Sequence, residues 1–222
     1  MIDEEKLYEE TMAAAKADLR KLRHEWQTEY AQNRLKKILK VLKLKKPVRE
    51  FIEAEPYHSY WTGKQLSGIT LNGIDLKEVD WREVALNDAN FQYANLEGAD
   101  FRGSDLGDVN FEEANLTKVN LEGCLLASSN LRRASLTQAR LVNADLALCN
   151  LENANFTGAD LSGANLMGAR LNGAIFDDAI LKGTRFGNYA EGKGLGLSQS
   201  ALEAIAKLDN IKERIGEPLE DM

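Results

Sequence analysis

The 222-residue chain reads as an all-β repeat rod with helical caps. Three observations predict it. From Leu66 to Phe186 every fifth residue is Leu, Phe or Trp, 25 centres in unbroken phase. Gly follows ten of those centres at a distance of two residues, as at Gly98, Gly123 and Gly163. Both flanks carry apolar residues at helical spacing instead. A period of five fits neither a helix nor a plain alternating strand, so the central segment needs an extended stretch and a bend in every repeat.

Residues 1–58 make the first unit. Leu19, Leu22, Trp26 and Tyr30 mark one helical face, and Leu35, Ile38, Leu39 and Leu42 mark another. Pro47 stops the second helix, and residues 48–55 fit a short third helix before Pro56. One unbroken helix from Asp3 to Lys46 would run about 65 Å, longer than a cap needs. The segment is therefore expected to fold back near Tyr30–Asn33 into a small bundle. A helix that projects and dimerises is the alternative.

The rod itself is assigned to residues 59–190. Two residues before a centre the chain is small or β-branched, as at Val79, Val84, Ala89, Ala114 and Ala159, with Lys64 the exception. These positions share the inward side with the centres, and a small residue there leaves room for the large one. The residue just before the centre is often Asp or Asn, as in Ala94-Asn95-Leu96 and Ala159-Asp160-Leu161. Asn, Asp and Gly all suit turns.

These residues resemble the pentapeptide-repeat family and its A(D/N)LXX motif over about 125 residues of the chain. The resemblance implies a right-handed quadrilateral β-helix, with four pentapeptides per coil. Twenty-five repeats then make about six coils, a rod ~29 Å long at the usual strand spacing. Residues 20 apart should stack: Trp81 under Phe101, Phe91 under Phe111, and Phe156 under Phe176. A mid-rod Leu→Ala change should cost roughly 2–5 kcal/mol. Cys124 and Cys149 occupy small inward positions 25 apart, one coil plus one side. They are expected to be buried, inert and not disulfide-bonded. The family is abundant in cyanobacteria, which suggests such a source.

Residues 191–222 form the last unit. Gly192-Lys193-Gly194 reads as a linker. A helix from Ser198 to Gly216 follows, capped by Ser198 or Ser200, with a stripe of Leu202, Ile205, Leu208, Ile211 and Ile215. It is expected to cover Ile175 and Ile180, which break the polar rule at positions before a centre. Such caps answer the exposed edges that any open repeat stack presents.

Composition narrows the function. The chain has 28 Lys+Arg, 35 Asp+Glu, two His, two Cys and a net charge of −7. No 18-residue apolar run is present, and the acidic start lacks a secretory apolar region. Two cysteines make no disulfide framework. A cytoplasmic location follows as an expectation. No nucleophile elbow, phosphate loop or zinc spacing is found, and His24 and His58 stand apart. No catalytic residue, metal or cofactor is assigned, and the chain is expected not to be an enzyme.

Two surfaces are candidates for binding. The column one residue after every fourth centre reads Asn87, Gly107, Ala127, Ala147, Met167 and Gly187, without a charge. Leu125 and Leu148 flank it. Together Leu125, Ala127, Ala147, Leu148 and Met167 form a candidate interaction face for a protein partner or a second copy of the chain. The other three columns carry charge, one of them around the run Thr117, Thr137, Thr157. The second surface is basic: Arg34, Lys36, Lys37, Lys40, Lys43, Lys45, Lys46 and Arg49, with no acidic residue from 34 to 49. By segment the net charge is +5 for residues 1–49, −7 for 64–122 and +1 for 123–190.

The leading expectation is a non-catalytic binding or scaffold protein that presents rigid flat faces. Some family members resemble duplex DNA and bind type II topoisomerases, so a gyrase-binding DNA mimic is the runner-up. This chain fits it only partly, with half its rod not acidic. A third reading is peripheral membrane association through the basic helix 34–49. Direct nucleic-acid binding is not favoured.

Overall fold

The computed structural model describes residues 66–186, together with Ile38 and Lys40. Each pentapeptide turns the chain once. The N–H three residues after a centre donates to the centre's own carbonyl, as in Ala94 to Phe91 (2.9 Å) and Ala144 to Leu141 (3.0 Å). The residue two after the centre has positive φ at all 24 turns, with values from 56° to 73°. Such a turn favours Gly or Asn at that position.

Glycine fills ten of those positions; the other fourteen include Glu78, Glu83, Tyr93 and Leu148. A non-glycine residue pays about 1–2 kcal/mol for that backbone. The conformation also aims its N–H at the next coil: Glu78 donates to the Glu97 carbonyl (2.8 Å) and Leu148 to the Met167 carbonyl (2.9 Å). The strain is offset by a ladder bond at the same residue.

Between turns the chain is extended only briefly. Each short extended step pairs in parallel with the step 20 residues later, from Thr70↔Asn90 to Asp160↔Ile180. At the top, β1 (Asn165–Leu166) pairs in parallel with β2 (Arg185–Phe186) in the same register. Four turns therefore close one coil, giving four sides, here named after their first centres: Leu66, Leu71, Leu76 and Trp81.

All 25 centres are buried, none more than 3% exposed. The small position that ends each turn is buried too, apart from Ile74 and Ala179, which are partly buried. The three expected stacks form: Trp81 on Phe101 at 5.9 Å, Phe91 on Phe111 at 5.3 Å, and Phe156 on Phe176 at 4.9 Å between ring centroids. The two lower stacks also interlock. Phe91 meets Trp81 and Phe101 edge-on, and Phe101 meets Phe111 edge-on. Those rings come from opposite sides, so they form a zigzag across the interior.

The Asp or Asn before a centre accepts the N–H two residues on, as Asn110 Oδ1 does from Glu112 (3.0 Å) and Asn155 Oδ1 from Thr157 (2.9 Å). That bond braces the turn. Its amide can also donate to the coil below: Asn115 to Asn95 (3.0 Å) and Asn95 to Asp75 (3.0 Å). The repeat's preference for Asp and Asn thus has two causes, one local and one between coils.

The domain boundaries at 58/59 and 190/191 and both predicted caps, apart from Ile38 and Lys40, lie outside the described residues. Ile38 has helical backbone, is fully buried and belongs to the rod's apolar cluster, while Lys40 is helical and exposed. At the other end Ile180 is 53% exposed and Ile175 half-buried; the helix expected over them lies outside the described residues.

Candidate interaction faces

The Leu66 side carries the expected apolar face. Backbone bonds place Gly107, Ala127, Ala147 and Met167 in register through Asp108 N to Ala127 O, Ser128 N to Ala147 O and Leu148 N to Met167 O. Leu125, Leu148 and Met167 are 56%, 67% and 41% exposed; Ala127 and Ala147 are half-buried. One methyl of Leu148 leans over Gly168, where an added Cβ would come within 2.7 Å of it. The glycine is what lets this leucine lie across the next coil.

One part of the expectation needs correction. The face is free of charge only in its central column. The parallel bridges run Ala85, Asp105, Leu125, Asp145, Asn165 and Arg185 along one edge, so Leu125 stands between two carboxylates. Asp145 Oδ1 is engaged by Ala147 N (3.1 Å) and Asn165 Nδ2 (2.8 Å). At the opposite corner, partial burial raises Asp108 above the usual Asp range.

Of the basic surface, only Lys40 is described, and it is exposed. Arg34, Lys36, Lys37, Lys43, Lys45, Lys46 and Arg49 lie outside the described residues.

The other three sides bear ladders of polar contacts that the chain order hides. Lys77 pairs with Glu97 (3.1 Å), Arg132 with Glu112 (2.9 Å), Arg133 with Glu113 (3.2 Å) and Arg140 with Glu122 (2.8 Å), each bond spanning one coil. Arg170 pairs with Glu152 in the same way. Arg82 and Arg102 fork onto Asp80 (2.6 Å) and Asp100 (2.7 Å). The Arg82 hydrogen bond holds Asp80 below the usual Asp range, against partial burial, and the Arg140 bond does the same for Glu122. On the Leu76 side the threonine run joins a hydroxyl chain: Thr117 Oγ1 lies 3.2 Å from Ser135 Oγ, which lies 3.4 Å from Thr137 Oγ1.

Inside, Cys124 and Cys149 are free and buried. Their thiols donate to the carbonyls of Phe101 (2.9 Å) and Leu126 (3.0 Å). Ser104, Ser129 and Thr184 use the same geometry, onto Trp81, Leu106 and Leu161. Burial pushes both thiols up to about 12, so neither is an activated nucleophile. The pattern of a hydroxyl or thiol 23 residues above a carbonyl was present in the sequence, but only the coil geometry shows that the two atoms meet.

Parallel coils stacked on a filled interior define a solenoid, a protein built from one repeated unit. The chain belongs to the pentapeptide-repeat family: the family model for pentapeptide repeats matches in eight copies, over residues 65–103, 94–126, 104–141 and 149–188. Members of this family are right-handed quadrilateral β-helices, and they are in general non-catalytic binding or structural proteins. Among solved structures, the chain is similar to a pentapeptide repeat protein, Rfr23, from the cyanobacterium Cyanothece 51142 (26% identity over 59% of this chain and 91% of that one, TM-score 0.36). It is also similar to a pentapeptide repeat protein from Nostoc PCC 7120 (35% identity, 35% and 64% covered, TM-score 0.34). A third similarity is to QnrB1, a plasmid-mediated fluoroquinolone resistance protein (18% identity, 57% and 86% covered, TM-score 0.39). No curated protein matches the chain.

Proposed function

We propose that the chain is a non-catalytic scaffold of the cytoplasm: a rod of six coils, closed by helices, whose Leu66 side docks a protein partner. The observation that carries this reading is the register of Leu125, Leu148 and Met167, three exposed apolar side chains around the half-buried Ala127 and Ala147. The remaining sides are laced with ion pairs and amide ladders, which suit water. Burial of Ile38 in the rod's cluster supports a helical N-terminal cap, and exposed Lys40 supports a basic outer surface on it as a second contact.

DNA mimicry draws less support. A duplex mimic needs rows of unopposed negative charge, whereas Asp80, Asp100, Glu97, Glu112, Glu113 and Glu122 each have a cationic partner.

Affinity capture from the native host tests the proposal, comparing wild type with the Leu148→Glu, Met167→Glu double variant. Glutamate already adopts the required backbone at Glu78, Glu83 and Glu113, so the fold should tolerate Leu148→Glu. Partners that wild type captures should be lost from the variant, with far-UV circular dichroism unchanged. Retention of every partner would remove the role assigned to this side.

A further inference from the structure

We infer that the Leu66 side pairs with the same side of a second copy, the two rods running antiparallel about a two-fold axis at the level of Ala147 and Leu148. This rests on the contact role proposed above for that side and names its partner.

The argument is one of self-complementarity. In a face-to-face pair, a dyad lying across the rods keeps each column opposite itself and reverses the order of the coils. Centred on the Leu146 coil, it sets the Leu126 coil of one copy against the Leu166 coil of the other, and the Leu106 coil against the Phe186 coil. Three matches follow from the register already given. Met167, the protruding residue of the central column, meets Ala127, a half-buried residue with only a methyl side chain. Leu148 meets its own equivalent across the dyad. Asp105 meets Arg185, both exposed. Each contact except those on the dyad occurs twice, as an isologous interface requires.

The alternative dyad, running along the rod, fails the same test. It reverses left and right within each coil, so Leu125 would face Ser128 and Leu148 would face Asp145. Both leucines would then sit on polar groups, where the dyad across the rods leaves only Leu125 on one, and Asp105 would face Asp108.

Two contacts oppose the antiparallel arrangement: Leu125 meets the polar Asn165, and the two Asp145 residues approach each other near the axis. Their Oδ1 atoms are already held by Ala147 N and Asn165 Nδ2, which spreads the charge but does not remove it. The matched surface is also small. Four coil spacings of about 4.8 Å by a side roughly 10 Å wide fall well short of the ~800 Å² per partner of a stable complex. Association is therefore weak and reversible, and concentrations near 1 mM are needed to populate it.

Sedimentation velocity of the full chain, from about 10 μM to 1 mM, provides the test. Wild type should show a concentration-dependent shift toward dimer. Asp105→Arg, which sets two cations opposite each other, and Arg185→Asp, which sets two anions, should each weaken it at least about fivefold. The double swap should restore it, because the pair is merely exchanged. Asp145→Asn should tighten it. A protein that stays monomeric at 1 mM, or a double swap no better than either single variant, overturns the self-pairing. If capture of another protein is still lost with Leu148→Glu and Met167→Glu, the contact role of the side survives that failure; if it is not, both readings fall together.

Discussion

Replacing Phe101 by Ala should be among the most destabilising single changes in the rod. Its ring is fully buried, stacks on Trp81 at 5.9 Å and meets Phe91 and Phe111 edge-on at 6.1 and 5.9 Å. Truncating a buried Phe to Ala costs about 3–5 kcal/mol in a well-filled core, and each aromatic pair adds about 0.5–1.5 kcal/mol beyond burial. Phe156 is the internal control: it is equally buried but has one aromatic neighbour, Phe176. Phe156→Ala should cost about 3 kcal/mol, and Phe101→Ala about 1–2 kcal/mol more. With an m-value of about 2 kcal/mol/M in urea, the Phe101→Ala midpoint should fall by roughly 2 M. Phe101→Leu against Phe156→Leu keeps most of the volume and isolates the ring contacts, so the same ordering should persist with smaller losses. Urea unfolding followed by far-UV circular dichroism measures all four. Equal losses at the two positions would show that the interlocked rings add nothing to burial, and a loss below 1 kcal/mol at Phe101 would refute the close-filled interior.

Two further predictions concern the turns and the ion pairs. Gly123→Ala should cost about 1 kcal/mol from the positive φ alone, since nothing stands within 4 Å of the added methyl; Gly173→Ala should cost more, because its methyl collides with Asn153 Oδ1, and thermal melts of the two variants rank them. Asp80 titrates below the ordinary Asp range because Arg82 donates to it, so the pair stabilises above about pH 4 and its contribution is lost as pH falls through the depressed value; Arg82→Ala should lower the urea midpoint only slightly at pH 7, and the difference from wild type should shrink as the pH is lowered in a pH series of urea midpoints.

Much of the architecture was legible in the chain because one period carries it. The centres, the small inward positions and the three aromatic stacks all follow from counting by five and by twenty. The fourteen non-glycine residues at positive φ were not legible: nothing about Leu148 or Tyr93 announces that backbone, which the turn and the ladder bond impose on whatever residue falls there. The edge-on ring contacts were hidden for a different reason, since they join opposite sides of the coil rather than residues 20 apart. The candidate face was half legible. Following a single column found Ala127, Ala147 and Met167, but the flanking Asp105 and Asp145 belong to the neighbouring column, and only the bridge register sets them beside Leu125.

The same change of neighbourhood alters what the charge distribution means. Along the chain, residues 64–122 are acidic and residues 123–190 nearly neutral, which suggests a rod with a negative half. In the coil the nearest neighbour of a side chain is 18 or 20 residues away, and the boundary is stitched shut. Glu112, Glu113 and Glu122 from the acidic segment receive Arg132, Arg133 and Arg140 from the other. The pairs are solvent-exposed and screened by water, so they hold the fold only weakly. Their larger effect is to flatten the field of three sides. That leaves the Leu66 side as the one whose central column carries no charge and whose leucines and methionine have no partner of that kind. Loss of an ion pair should therefore shift stability slightly and leave binding alone. Loss of Leu148 or Met167, both outside the filled interior, should do the reverse. A variant set in which binding tracked the ion pairs instead would place the recognition surface on the charged sides.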